Sequence, residues 1–247
     1  MTDHKTAIVT GAGQGTGRAI AHALAKVGFN VVAVGRTLSK IEETVASLGG
    51  QGLAIAADLV DPDQVRDMFA RADAHFGGVD VLVNNAAIFN PFMLEEATDT
   101  QIQEQIATTL TAPIYCMREA IPRMRKRGGG DIVSITSQSV GMPQPFLTVY
   151  SAAKGGLEVV SQGLRYELKG EPFRIITINV GTIAGAVENT TIPMDQLGRL
   201  LEAFERSGVA RHFESPGIPP EEIAATVVHA VTAPRSTSNQ HIVMRGE

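Results

Sequence analysis

Seven short apolar runs recur along the chain, at residues 7–9, 31–34, 53–56, 79–83, 132–135, 175–178 and 241–244. Most are continuous, as in Val31-Val32-Ala33-Val34, instead of alternating with polar residues. That is the pattern of strands covered on both faces of a parallel sheet. Between the runs the period changes. Ile20, Ala23, Leu24 and Val27 fall on one face of a helix over 17–27. The stretches 38–48 and 62–76 are amphipathic, and Asp61-Pro62 supplies a cap and a first-turn proline to the second. Longer helices are expected over 99–127 and 150–169. Strands alternating with helices imply right-handed crossovers and an α/β fold, a doubly wound seven-stranded parallel sheet flanked by helices, in a single domain over 1–247. Residues 184–219 break the rhythm. They form an insertion between the sixth strand and the last helix and carry Met194, Leu197, Leu200, Phe204 and Phe213. Insertions at the carboxyl ends of strands often serve as lids or binding loops.

Composition narrows the function. Of 247 residues, 44% are hydrophobic and 19% charged, enough to bury a core without staples. A net charge of −5 argues against a nucleic-acid surface. No apolar run approaches the ~20 residues that span a bilayer, so no membrane is expected as a partner. Residues Met1 to Lys5 show no apolar signal region, and a cytoplasmic location is expected. Cys116 is the single cysteine and reads as a small buried hydrophobe. Arg123, Arg125, Lys126 and Arg127 close a helix, where cations complement the helix dipole. The six histidines show no ligand spacing; His22 and His229 read as structural, and no catalytic metal is expected.

The first strand runs into Thr10-Gly11-Ala12-Gly13-Gln14-Gly15-Thr16-Gly17, and a helix follows at once. Glycines permit a tight turn and close backbone approach, and the helix N-terminus offers free N–H groups to a pyrophosphate. A glycine-rich turn without a ligand is the alternative. Gly11, Gly15 and Gly17 form T-G-x-x-x-G-x-G, a spacing that resembles the short-chain dehydrogenase/reductase family, specifically its Rossmann-like single-domain members of about 250 residues. The second strand ends in Val34-Gly35-Arg36-Thr37, with no acid to hold a ribose 2′-hydroxyl. Arg36 can instead pair a 2′-phosphate through its charged fork, so NADP(H) is expected over NAD(H); Gln14 stands where some NADP-preferring relatives carry a second base. The resemblance places Asp58-Leu59 at the adenine and aligns Asn84-Asn85-Ala86-Ala87 with the family's N-N-A-G, which adds Asn85 and Thr16 to the cofactor-binding set.

Tyr150-Ser151-Ala152-Ala153-Lys154 is Y-x-x-x-K, which puts phenol and ammonium on one helix face. A lysine about 5 Å away would favour the phenolate by about 3 kcal/mol, roughly two pKa units, bringing the tyrosine toward neutral pH. Ser137 lies thirteen positions before Tyr150, matching the family's spacing. The resemblance then implies Tyr150 as general acid/base, Lys154 as its electrostatic partner and a ribose ligand, and Ser137 as the group that orients the substrate. It also puts Val187 at the nicotinamide amide.

Four places depart from the family. Ala87 replaces the glycine of N-N-A-G, Thr109 replaces an asparagine that holds a relay water, Ala184-Gly185 replaces P-G, and the sequence closes on Met244-Arg245-Gly246-Glu247 without the usual glycine pair. Gln138, Met142, Phe146 and Phe89–Met93, with the 184–219 segment, are expected to line a pocket for a neutral, moderately apolar carbonyl or alcohol. Arg199, Arg206 and Arg211 read as solvated helix charges. The resulting expectation is an NADP(H)-dependent oxidoreductase interconverting a secondary alcohol and a ketone. The alternative is a nucleotide-binding sensor or scaffold with little turnover, which Thr109 favours and Ser137, Tyr150 and Lys154 oppose. The resemblance further implies a homodimer or homotetramer built on 99–127 and 150–169, where Leu157, Val159, Val160 and Leu164 supply apolar surface.

Overall fold

The computed structural model describes residues 4–185, 194–208, 217–237 and 240–246. The strands are β1 (Thr6–Thr10), β2 (Asn30–Gly35), β3 (Gly52–Ala56), β4 (Val81–Asn84), β5 (Gly130–Ser137), β6 (Phe173–Val180) and β7 (His241–Met244). They form one sheet in the order β3-β2-β1-β4-β5-β6-β7. Every pairing is parallel, from Ala7 beside Val31 to Thr177 beside His241. Strand order reverses between β1 and β4, so their carboxyl ends splay into the crevice where open α/β sheets bind ligands.

The helices are α1 (Gly15–Lys26), α2 (Leu38–Ala46), α3 (Pro62–Phe76), α4 (Asp99–Ile106), α5 (Ala112–Lys126), α6 (Thr148–Glu167), α7 (Met194–Ser207) and α8 (Pro220–Thr232). Local chemistry sets their ends. Asp61 caps α3 by accepting from the amides of Asp63 and Gln64, and Gly77 closes it in the left-handed conformation. Thr98 and Gln101 cap α4 reciprocally.

Side chains alternate across each strand, which divides the core in two. Ala7, Val9, Val31 and Ala33 face α1 and α8, packing with Ile20, Leu24, Ile223 and Val227. Ile8, Val32, Val34 and Leu82 face α3 and α5, packing with Val65, Phe69, Cys116 and Met117. Each such fully buried aliphatic or aromatic side chain contributes about 1.5–3 kcal/mol of burial free energy. At the other end of the sheet, buried Asp131 accepts from Arg174 at 2.8 and 2.5 Å and from Arg235 at 2.7 Å. Arg174 also donates to the carbonyls of Val231 and Ala233, fixing the end of α8 to the sheet.

Two expectations are corrected. The helix expected over 99–127 is not continuous: residues 107–111 form a turn of π-helix between α4 and α5. Ala107-Thr108-Thr109-Leu110-Thr111 is rich in β-branched threonine, which weakens the regular ladder, and π-turns accommodate one extra residue. The 184–219 segment is not wholly loop, since α7 lies within it; residues 186–193 and 209–216 lie outside the described residues. Its base is closed by a parallel bridge between Ile183 and Ile218, with hydrogen bonds from Ala184 N to Ile218 O at 3.0 Å and from Ile218 N to Thr182 O at 2.8 Å. The basic cluster ending α5 is paired as a helix terminus would be: Arg123 with Asp73 and Glu119, Arg125 with Glu171, Arg127 with Asp80. Among the described residues no helix is long and apolar enough to cross a membrane.

Candidate active site

The loop between β1 and α1 is folded tightly at its ends and open in the middle. Gly11 adopts φ 68°, and a Cβ there would lie 2.9 Å from Asn85 Nδ2. A Cβ on buried Gly17 would enter the Gly11 carbonyl oxygen and sit 2.6 Å from the same Asn85 nitrogen. Asn85 is what holds the loop: its Nδ2 donates to Thr10 O at 2.9 Å, while its backbone N–H and that of Ala86 both donate to Thr10 Oγ1 at 3.0 Å. Thr10 Oγ1 in turn donates to Val83 O at 3.2 Å. This knot ties β1 to β4 at the switch point. Gly15, at φ 51°, has nothing within 4 Å of where a Cβ would point. Gln14 occupies the N-cap of α1 without a side-chain cap, so the first-turn amides, Thr16 included, have no side-chain acceptor there. An open, uncapped helix start is a cradle for a phosphate, and these residues fit the pyrophosphate of a dinucleotide.

Arg36 follows the end of β2 and is exposed. Asp58 is half-buried past β3; its Oδ1 accepts from Val60 N at 3.2 Å and its own N–H donates to Gln64 Oε1 at 2.9 Å. Leu59 points into the core beneath, which leaves its backbone as the part able to face a ligand. Val187 lies outside the described residues.

β5 and α6 bring the reactive side chains together. Ser137 is the last residue of β5, Tyr150 lies in the first turn of α6, and Lys154 follows one turn on. The Ser137 hydroxyl lies beside the Tyr150 phenol, near enough to pull its pKa down. Lys154 is 3% exposed and its Nζ donates to Ile135 O at 2.7 Å, 5.9 Å from the Tyr150 ring centroid. Burial pushes Tyr150 up to about 12, with Ser137 pulling the other way. Burial likewise brings Lys154 down to about 8. The phenol is therefore not drawn toward neutrality as the Y-x-x-x-K spacing alone suggests. Desolvation dominates both groups, which leaves Tyr150 protonated and Lys154 mostly charged at pH 7.

Several supporting residues carry no motif. Ser139, buried in a short 3₁₀ turn over Gln138–Val140, donates from N at 3.2 Å and from Oγ at 3.0 Å to Ser137 Oγ. Those bonds occupy the oxygen of Ser137 and leave its O–H to point at the phenol or a substrate oxygen. Asn179 on β6 donates to Ser137 O at 2.8 Å and to Glu158 Oε1 at 2.7 Å, and Thr136 donates to the same carboxylate oxygen at 2.6 Å. Arg245 completes the chain by donating to Asn179 Oδ1 at 2.9 Å. The close of the chain, read from sequence only as a departure, thus braces the strand that carries Ser137.

The cleft over Tyr150 is apolar. The Phe89 ring meets Tyr150 edge-on at 5.5 Å between centroids. Phe146, Leu147, Leu200, Ala203 and Phe204 cluster with Met93, Leu197 and Tyr150 packed against them. Here α7 closes over the site. Arg199 pairs with Glu96 at 2.5 Å and lies 5.7 Å over the Phe146 ring, while Gln196 Nε2 donates to Pro91 O at 2.7 Å. Arg199 is an exposed helix charge, as the sequence suggested, and its pair with Glu96 also ties α7 to the 94–96 turn. Gln138 Oε1 is close enough to Gly181 to meet a Cβ there at 3.2 Å. Thr109, at the centre of the π-turn, is fully buried and its hydroxyl has no partner among the described residues. Of the four apolar residues expected on the two faces of α6, Leu157 is core and Val160 and Leu164 pack against it, burial within the chain's own fold; Val159 is 67% exposed.

Known proteins resemble this chain in sequence and fold. A family model described as short chain dehydrogenase matches residues 5–196. An uncharacterized oxidoreductase of Thermotoga maritima is 36% identical over 191 residues, covering 74% of this chain and 73% of that protein. An uncharacterized oxidoreductase of Staphylococcus aureus is 28% identical over 249 residues, covering 99% and 98%. The crystal structure of a short-chain dehydrogenase from Streptomyces avermitilis superposes with a TM-score of 0.83 at 27% identity, covering 98% of this chain and 88% of that one.

Proposed function

The chain belongs to the short-chain dehydrogenase family, and from that premise we propose that it is an NADP(H)-dependent oxidoreductase interconverting a secondary alcohol and a ketone. The observation that carries the reading is Ser137 at the end of β5 beside Tyr150, with buried Lys154 one turn away on α6, next to an open glycine cradle. Gly11, Gly15, Thr16 and Gly17 would hold the pyrophosphate, Arg36 the 2′-phosphate, and Asp58 and the Leu59 backbone the adenine. Asn85 acts through the loop it fastens, and Lys154 and Tyr150 would reach the ribose. Val187 is assigned to the nicotinamide amide by the family resemblance. The nicotinamide, when bound, supplies or accepts the hydride.

In the reductive direction Ser137 donates a hydrogen bond to the substrate carbonyl. Tyr150 gives its hydroxyl proton to the same oxygen as the carbon gains the hydride, and the phenolate then recovers a proton from solvent. The charge of Lys154 stabilises that phenolate. Burial holds the phenol protonated, so the proton is present to give, and the charge of Lys154 is what makes giving it up less costly. The walls of Phe89, Met93, Phe146 and Leu197 favour a neutral, moderately apolar substrate. We assign the whole chain to one domain with a substrate segment at 184–219, in the cytoplasm. Assembly into a homodimer or homotetramer would bury exposed Val159.

NADPH and NADH titrated separately, followed by a panel of ketones and diketones, test this. Tighter NADPH binding and its oxidation by a ketone are expected; tighter NADH binding refutes the role of Arg36. The unpartnered Thr109 hydroxyl supports a second reading, a nucleotide-binding sensor with little turnover. Binding without turnover by any carbonyl, restored by Thr109→Asn, identifies a weakened relay, and its persistence in that variant favours the sensor.

A further inference from the structure

The phosphate loop is laced to α2 by a set of contacts that fix one lysine. Thr44 Oγ1 donates to Ala12 O at 2.9 Å. Arg18 donates to Gly13 O at 2.6 Å, to Lys40 O at 3.2 Å and to Thr44 Oγ1 at 3.0 Å. Its charge is met by Glu43 at 3.1 Å. The loop and helix lie so close that a Cβ on Gly13 would sit 3.2 Å from Lys40 Cβ. From that anchored stem the Lys40 ammonium reaches back and donates to Gln14 Oε1 at 2.8 Å. Its partner there is a neutral amide, so its full charge stays available to an anion, whereas the charge of Arg18 is spent on Glu43. Both Lys40 and Arg36 are exposed, and they bracket the first turn of α2, Arg36 two residues before it and Lys40 within it. No acid stands in residues 30–41 to oppose them.

We propose that Lys40, held over the loop by Gln14, is the second cation of the 2′-phosphate site and a determinant of NADP(H) over NAD(H). The inference rests on the NADP(H) reading above. It explains how a loop with a neutral residue at position 14 recovers a positive charge: the charge comes from α2 and is delivered to position 14 by a hydrogen bond. Arg36 can grip phosphate oxygens through two N–H groups, and Lys40 adds a point charge beside them.

The experiment is direct binding, without turnover. NADPH and NADH are titrated by nicotinamide fluorescence and 2′-AMP and 5′-AMP by calorimetry, against the unaltered protein, Arg36→Ala, Lys40→Ala and Lys40→Arg. Lys40→Ala should weaken NADPH and 2′-AMP by roughly five- to tenfold, as expected for one exposed charge-assisted contact, with NADH and 5′-AMP changed less than about twofold. Lys40→Arg should restore most of the loss, and added salt should shrink the difference. Equal weakening of all four ligands, or of none, overturns the role of Lys40. If the unaltered protein favours NADPH and only Arg36→Ala abolishes that preference, this inference fails while the NADP(H) reading stands. If the unaltered protein binds NADH as tightly as NADPH, that reading fails and takes the inference with it.

Discussion

Lys154 should cost the protein stability at neutral pH, and replacing it with methionine should return that stability in a pH-dependent way. The side chain is 3% exposed and burial brings its pKa from an ordinary 10.5 down to about 8. A folded pKa below the unfolded one means that folding works against the charged form. Below pH 8 both states are protonated and the full penalty applies; between pH 8 and 10.5 the unfolded state holds the extra proton, so stability rises with pH; above 10.5 the penalty is gone. The shift corresponds to about 3 kcal/mol at pH 7 and falls to about 1.5 kcal/mol at pH 9.5. Methionine matches the stem but withdraws the hydrogen bond to Ile135 O, which offsets the gain by about 1 kcal/mol at every pH. Lys154→Met should therefore exceed the parent by about 2 kcal/mol at pH 7, and that advantage should shrink by about 1.5 kcal/mol by pH 9.5. Urea unfolding of both proteins between pH 7 and 9.5 measures the difference. The slope carries the test, because the lost hydrogen bond shifts only the offset. A difference flat across that range would refute the claim that Lys154 is strained by desolvation. Turnover should be lost in the same variant, a stability cost accepted at a working site.

Gly17→Ala forces a Cβ into the Gly11 carbonyl and toward Asn85 Nδ2, so NADPH affinity by fluorescence titration should drop more than about tenfold while the fold is kept. Asp131→Ala leaves Arg174 buried without its partner and frees Arg235, and should lower unfolding stability in urea by about 3–5 kcal/mol. Thr109→Val removes a buried hydroxyl that no group among the described residues satisfies, so thermal stability should hold or rise by about 1 kcal/mol. If that hydroxyl serves the proton relay, kcat should fall in the same variant with KM unchanged.

The frame was legible because it rests on local pattern. A run such as Val31-Val32-Ala33-Val34 can only be a strand covered on both sides, and it is wholly buried. Gly11, Gly15 and Gly17 were legible because their spacing follows a strand and opens a helix, and the structure gives each a steric or conformational reason. The π-turn was not legible, since one extra residue within an apolar pattern leaves its period almost intact. Helix α7 could have been read: Leu197, Leu200 and Phe204 recur at helical spacing, with Gly198 diluting the signal. Ser139, Lys40 and Arg245 stayed hidden because each acts through contacts with another segment, from Ser139 on Ser137 to Arg245 on Asn179, and no spacing rule encodes which segments meet.

The Tyr150–Lys154 pair shows where that limit matters for chemistry. Spacing along a helix reports attraction between the two groups, because attraction depends on their separation. It does not report desolvation, which depends on everything else that displaces water. Around Tyr150 that work is done by Phe89, Phe146 and the α7 cluster, segments brought together from three parts of the chain. Burial raises the Tyr150 pKa and outweighs the opposing pull of Ser137. The apolar walls of the cleft are thus the same atoms that keep the tyrosine protonated. If the cleft takes the neutral substrate proposed above, a change that makes it more polar should alter substrate preference and the Tyr150 pKa together.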